Sequence, residues 1–275
     1  MSTLGCLLAR SNNKSMNKIY FVAHPMNEPH YGRKLGAVRV PWNTSEKHCR
    51  KFIKRNGKYL ESDKVLEDNV YFWGEYEPKS DAAFKYRTSP RASHHKLYSV
   101  RGLTKIPTNA TNTDPYVFGN HFKNICCGIR GIIENAYEIG DIVIFGKIVD
   151  EHYFCFDTVF VVRNLEPIDY SRNTSQYFNA SIKPYNIANG CKATYFYKGV
   201  SFFENNQLYS FVPCSFEEHP DKKPKIDLSA FGTTTYNQGF NKKVRPVTFQ
   251  EERWQMILKA VKDAGWKIGI QIDKI

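Results

Sequence analysis

Two apolar runs in the middle of the chain give the strongest hydrophobic signal. Asp141–Val149 and Tyr153–Val162 are dense in Val, Ile and Phe, and only Asp150 to His152 separates them. These residue types pack well on a pleated surface, so the pattern predicts a tight pair of buried strands. Asp157 interrupts the second run with a carboxylate, which in an apolar setting has to be paired, hydrogen-bonded or used in chemistry.

Shorter apolar segments predict further strands. They are Lys18–Ala23, Asn69–Pro78, Lys96–Val100, Trp266–Ile272, and a hairpin formed by Ala193–Phe203 and Gln207–Val212. Alternation along Asn69–Pro78 places Trp73 and Glu75 on one face and Phe72 on the other. The stretch Phe231–Lys243 is rich in Gly, Thr and Asn, which favours a loop.

Two segments predict helices. Asn43 and Glu46 form a capping-box pattern before Ser45–Arg55, and Asn56-Gly57 would stop that helix. At the C-terminus, Thr248 and Glu251 form a second capping box, and Gly265 marks the end of the helix. Its apolar stripe recurs at helical spacing and consists of Trp254, Ile257, Leu258 and Val261.

Together these elements predict one α+β fold. We expect a single sheet-rich domain with a mixed or antiparallel central sheet and a C-terminal amphipathic helix packed on it. The composition agrees, because 41% of the residues are hydrophobic and 15% are aromatic. Residues 1–17 are expected to be a poorly ordered N-terminus, and residues 18–275 a single domain that acts on nucleic acid.

The charge of the chain indicates a polyanionic partner. Lys and Arg number 39 against 27 acidic residues, which gives a net charge of +12. Excess positive charge attracts phosphate and releases its counterions, so nucleic acid is the expected partner, DNA rather than RNA. A basic surface that binds no ligand is the alternative.

Several classes of function are disfavoured by what the sequence lacks. The seven cysteines include no C-x-x-C pair, which argues against a disulfide framework and a structural zinc site. Neither a nucleophile elbow nor a nucleotide-binding glycine loop is present, so we expect no metal and no cofactor. No apolar run is long enough for a membrane span, and a cytoplasmic location is expected.

The candidate chemistry lies in carboxylates that stand near aromatic residues. Rings of this kind can sandwich a planar base while a carboxylate orients water and steadies positive charge on a sugar. Three acids compete for the catalytic role: Asp114, Asp157 and Glu75. Trp73, Tyr116 and Phe118 are the candidate walls of a base pocket, and Asn120 and His121 the candidate readers of the base edge. The candidate phosphate-binding residues are Arg87, Arg91, Lys96, Lys242 and Lys243.

Four sequence blocks carry a resemblance. FWGEYEP, TDPYVFG, GDIVIFG and FDTVFVV resemble the signature blocks of a family of uncharacterised bacterial proteins. In size, charge and lack of metal motifs the chain is also similar to phage-defence DNA glycosylases that remove hypermodified bases. Asp114-Pro115-Tyr116 resembles the water-activating motif of uracil-DNA glycosylases, although the Gly-Gln before it and the His after it are absent. The resemblance implies base flipping and antiviral defence.

Three functions follow as hypotheses. The first is a monofunctional DNA glycosylase, a hydrolase that excises a flipped, modified base and leaves an abasic site. The second is a non-catalytic reader of modified nucleic acid, similar to the small barrels of the PUA, ASCH and YTH-like group. The third is a structural or protein-interaction domain whose charge has no ligand.

Overall fold

The computed structural model describes residues 17–23, 51–74, 115–125, 137–149, 151–172, 175, 177–182, 193–204, 206–217, 222–238 and 241–273. Thirteen strands and one α-helix lie within these ranges. The strands are β1 (Lys18–Ala23), β2 (Lys51–Glu61), β3 (Lys64–Gly74), β4 (Lys123–Asn124), β5 (Ile142–Val149), β6 (Tyr153–Pro167), β7 (Tyr195–Gly199), β8 (Val212–Ser215), β9 (Lys225–Asp227), β10 (Thr235–Gln238), β11 (Asn241–Val244), β12 (Val247–Thr248) and β13 (Lys267–Ile272). The helix is α1 (Glu251–Asp263).

The central sheet is built around β5 and β6, the two strands that the apolar runs predict. Within the described part of the chain, seven strands join it in the order β12-β1-β5-β6-β7-β4, and β9 pairs with β6. β1 runs parallel to β5, while the other pairings of this sheet are antiparallel. The sheet is therefore mixed, and the predicted α+β class is confirmed.

A β-bulge interrupts the pairing of β5 and β6. Phe145 pairs with Thr158, but the next residue, Gly146, pairs with Phe156, so Asp157 is the extra residue of β6. A bulge bends its strand and redirects the side chains next to it. It therefore explains how a carboxylate interrupts the apolar run without disrupting the sheet.

The second sheet closes on itself as a small barrel of β13, β2, β3 and β8. β2 and β3 form a long hairpin whose turn residues, Ser62 and Asp63, have φ of 48° and 65°. The barrel joins the central sheet where Val159 and Phe211 exchange two backbone hydrogen bonds of 2.9 Å. Val159 lies in β6 and Phe211 directly precedes β8, so this bridge links the two sheets directly.

The buried side chains form two hydrophobic cores. Trp73 belongs to a first core, under α1, whereas Val70 and Phe72 belong to a second core between barrel and sheet. This division confirms the predicted alternation of β3, in which odd and even side chains point to opposite faces. The predicted strand extends to Pro78, but residues 75–78 lie outside the described ranges.

Helix α1 covers the first core, as predicted. Trp254, Ile257 and Val261 are buried in it, and Leu258 packs at its edge. The predicted capping box is wrong, because the helix begins at Glu251 and Gln250 occupies the N-cap without a side-chain hydrogen bond. Thr248 is instead paired with Lys18 in the central sheet. Gly265 follows the helix with a φ of 77°, a conformation that favours glycine.

Three other local predictions are corrected. Lys51–Arg55 belongs to strand β2 rather than to the end of a helix, because every residue of β2 is paired with β3. The predicted hairpin between Ala193 and Val212 is wrong, since β7 pairs with β6 and β4 whereas β8 joins the barrel. Part of the predicted loop Phe231–Lys243 is an antiparallel ribbon of β10 and β11.

Two further predictions concern residues that the structure does not describe. The poorly ordered N-terminus and the strand Lys96–Val100 lie outside the residues that the structure describes, apart from Asn17. Within the described part of the chain, no helix combines the length and the apolar character needed to cross a membrane.

Candidate functional site

A pocket of about 730 Å³ opens beside the C-terminal half of α1 and strand β9. Its lining includes the lysines Lys222, Lys223, Lys225 and Lys259, together with Cys155. We call it the lysine pocket. A space of this volume is in the range of pockets that hold small ligands, which span about 300–1,000 Å³.

The short strand β9 explains why lysines gather here. Phe154 pairs with Ile226 and Cys155 pairs with Lys225, so alternation buries Ile226 and leaves Lys225 exposed. Pro224 precedes the strand, and its carbonyl accepts a hydrogen bond of 3.1 Å from the N–H of Phe156. The backbone that carries the lysines is therefore fixed to β6.

The two carboxylates of the pocket lining have other partners. Asp263 forms an exposed ion pair with Lys259 at 2.5 Å. Asp227 accepts hydrogen bonds from the N–H and hydroxyl of Ser229 at 2.9 and 2.8 Å, and these bonds lower the pKa of its carboxyl. Lys222 and Lys225 form no ion pair with a described residue. The lining holds four lysines and two carboxylates, so cationic groups outnumber anionic ones in the pocket.

Two lysines of the pocket lie over aromatic rings. Lys223 Nζ is 3.6 Å from the ring centroid of Trp73, and Lys225 Nζ is 4.0 Å from that of Tyr153. A cation over a ring face is attracted by the ring quadrupole. Trp73, a predicted wall of the base pocket, thus contacts Lys223 of the lining but does not line the pocket itself, and it is only 5% exposed.

Cys155 is a poor nucleophile in this setting. Burial raises the pKa of its thiol, the nearby Lys223, Lys147 and Lys225 lower it, and Asp157 raises it, with a net upward shift. The thiol therefore stays protonated at neutral pH, where the thiolate would be the reactive form.

Asp157 is the one predicted catalytic acid within the described residues. It is 8% exposed and is the bulged residue of β6. It stands two residues after Cys155, which lines the lysine pocket, but Asp157 itself is not part of that lining. Trp73 contacts Lys223, and Asp157 stands two residues after Cys155, so each lies near a different residue of the pocket lining.

Tyr116 and Phe118 lie in the second core. They are 3% and 2% exposed, and their rings pack edge to face with centroids 5.3 Å apart. Tyr116 also packs against Tyr177, again at 5.3 Å. These contacts give both rings a packing role and do not join them to the lysine pocket.

Asn120 and His121 take part in two different sets of polar contacts. Asn120 Oδ1 accepts a hydrogen bond of 2.7 Å from Gln271. His121 Nδ1 is 3.4 Å from the carbonyl oxygen of Gly199, and its Nε2 is 4.0 Å from Glu204, which is paired with Arg163 at 2.7 Å. Burial is the main reason that the pKa of His121 is lowered.

The other predicted residues are distributed as follows. Lys242 and Lys243 lie on strand β11. Asp114, Glu75, Arg87, Arg91 and Lys96 lie outside the residues that the structure describes.

The lysines of the pocket are not distinguished by the sequence pattern. Lys222, Lys223 and Lys225 stand in the run DKKPKI, which resembles an ordinary solvated loop. The available signal was Ile226, an apolar residue directly after the basic run, which marks a short buried strand.

Among the described residues, no group of His, Cys, Asp and Glu side chains is arranged to hold a metal ion. A scan against protein-family models, a search of curated proteins and a search of solved structures each gave no match.

Proposed function

We propose that this protein binds nucleic acid, with DNA as the expected partner, and that the lysine pocket holds backbone phosphate. The observation that carries the proposal is the charge of the pocket. Lys222 and Lys225 have no ion pair among the described residues, whereas Asp263 pairs with Lys259 of the same lining and Asp227 accepts hydrogen bonds from Ser229. The net charge of +12 favours the same partner, because it attracts a polyanion over the whole surface.

Phosphate is the ligand chemistry that suits these groups. Lysine ammonium groups are compact point charges with several donors, and they bind phosphate without demanding one geometry. Rings beneath Lys223 and Lys225 restrict where the two ammonium groups can lie. Such a pocket fixes the backbone of a nucleic acid and leaves sequence recognition to other residues.

Salt-dependent binding tests this proposal. In fluorescence anisotropy with labelled DNA, the variant Lys222→Glu, Lys225→Glu should bind more weakly than the wild type at every salt concentration. Removing two phosphate contacts should also reduce the slope of log K against log salt by about 2. Lys64→Glu is the control for a charge reversal on an exposed lysine, at the start of β3. Unchanged affinity in the double variant would refute the role of the pocket.

A catalytic role, excision of a flipped and modified base, is a second candidate favoured by the position of Asp157. In that reaction water adds to the anomeric carbon of the sugar, the N-glycosidic bond breaks, and the base leaves with a proton from the water. Asp157 would orient the water and offset positive charge on the sugar. The reaction requires no cofactor and leaves an abasic site.

Incubation with modified phage DNA distinguishes excision from simple reading. A glycosylase releases free base and creates alkali-labile sites, whereas a non-catalytic reader binds the same DNA and leaves it intact. Asp157→Asn should abolish base release and preserve DNA affinity, and thermal unfolding of the variant shows whether the fold is retained. Full base release by Asp157→Asn, Asp114→Asn and Glu75→Gln alike would eliminate all three acids.

A further inference from the structure

The ribbon of β10 and β11 forms a basic surface separate from the lysine pocket. Within the described chain, the two strands pair only with each other, and the register places Tyr236 opposite Lys243 and Thr235 opposite Val244. Side chains of directly opposed residues lie on the same face of an antiparallel pair. Tyr236 and Lys243 therefore share one face, and Val244 lies on the other.

The base of this ribbon is firmly attached to the fold. Val244 is 4% exposed and belongs to the first core. The N–H of Arg245 donates to the carbonyl of Thr234 at 3.1 Å, and the hydroxyl of Thr233 donates to the carbonyl of Arg245 at 2.6 Å. These contacts fix the outward-facing side of the ribbon relative to the rest of the protein.

The outward-facing side presents one ring and two cations. Tyr236 is half-buried, and the guanidinium carbon of Arg245 is 5.1 Å from its ring centroid. Lys243 and Arg245 are exposed, and neither forms an ion pair with a described residue. A flat aromatic surface and a flat guanidinium thus lie beside an ammonium group, with no described carboxylate to neutralise them.

This combination fits a single nucleic-acid strand better than a duplex. Bases in a single strand have free faces that can stack on tyrosine or on a guanidinium plane, while lysine and arginine contact the backbone. In a duplex the base faces are already stacked on each other, so a ring on the protein surface gains little. A purely phosphate-binding surface would not need Tyr236 at its centre.

We infer that the face of the ribbon formed by Tyr236, Lys243 and Arg245 is a second nucleic-acid contact, which holds a single-stranded segment by stacking a base on Tyr236. The inference rests on the proposed nucleic-acid binding, and it adds a second site and a preference for single strands.

Anisotropy with a labelled single strand and with the corresponding duplex tests the inference. Tyr236→Ala should weaken single-strand binding by about 5- to 100-fold and duplex binding by less than about 2-fold, because only stacking is lost. Tyr236→Trp should retain the affinity, which shows that a ring is needed at this position. Tyr195→Ala, which removes an exposed tyrosine of β7, is the matched control and should change neither affinity.

The outcomes separate this inference from the proposed function. If the lysine-pocket variant loses affinity but Tyr236→Ala binds the single strand normally, the ribbon inference fails and the proposed function stands. If the wild type binds neither DNA, both fail. Equal weakening of single-strand and duplex binding by Tyr236→Ala, or tighter binding of an acidic peptide than of the single strand, would also overturn the inference.

Discussion

Gly146 faces the backbone of Cys155 and Phe156 at such close range that no side chain fits between the strands. A β-carbon at Gly146 would overlap the carbonyl oxygen of Cys155 and lie 2.7 Å from the α-carbon of Phe156. This close approach occurs at the bulge, where the register of β5 and β6 shifts and Asp157 is the extra residue. The absence of a side chain at Gly146 therefore permits the geometry that places Asp157.

Gly146→Ala should destabilise the protein by about 3 kcal/mol, because the new methyl group overlaps backbone that cannot move aside cheaply. Gly265→Ala provides the comparison. Nothing lies within 4 Å of a β-carbon there, but φ is 77°, so that variant should lose only about 1–2 kcal/mol of conformational energy. Urea unfolding measures both values. Equal losses would show that the space at Gly146 is not limiting.

A substitution in the β2–β3 turn should stabilise the protein. Ser62 and Asp63 both have positive φ, which is unfavourable for residues with a side chain and typical of a two-residue hairpin turn. Replacing them by Asn and Gly should raise the free energy of unfolding by about 1 kcal/mol, because those residues adopt this conformation more readily. Lys64→Gly, a change within the strand, should instead cost about 0.5–1 kcal/mol. A loss of stability in the Asn-Gly variant would contradict this account of the turn.

The sequence predicts the central strands well because their signal is local. β1, β5 and the start of β6 are mostly apolar, and such runs can be recognised without knowledge of the strands that pair with them. The capping pattern before Lys51–Arg55 is also local, but it predicts a helix wrongly. The structure of this segment is decided by its pairing with β3, which lies further along the chain.

The candidate site depends on contacts between segments that are far apart in the sequence, so a local pattern predicts it less well than it predicts the central strands. Asp157 stands out in its apolar run, but the bulge that places it depends on the register with β5. Tyr116 and Phe118 have the composition of a base pocket, yet their burial follows from contacts with Tyr177 and the barrel. The pocket lysines come together only when β9 pairs with β6 and α1 lies beside it.

Trp73 should report on ligand binding at the lysine pocket. Lys223 Nζ lies 3.6 Å from its ring centroid, so moving that cation towards a phosphate changes the electric field at the indole. Titration with single-stranded DNA should therefore change the tryptophan fluorescence, and Trp73→Phe should remove most of that change. Trp254→Phe alters a buried tryptophan of α1 and should leave the change in place. The same amplitude in Trp73→Phe would place the ligand elsewhere.

His121 should make the protein less stable in mild acid. Burial lowers the pKa of its imidazole below 6.5, and Lys198 and Arg163 add to this, while the carbonyl of Gly199 and Glu204 oppose it. Because the folded state binds the proton less readily than the unfolded chain, the stabilising contribution is complete above pH 6.5 and declines as the pH falls towards the lowered pKa. As the pH falls from about 7.5 to about 5.5, the free energy of unfolding of His121→Gln should therefore decrease less than that of the wild type. Urea unfolding measures both values. His152→Gln, at an exposed histidine, is the control and should behave like the wild type. An identical acid-induced loss in His121→Gln and in the wild type would show that another group causes it.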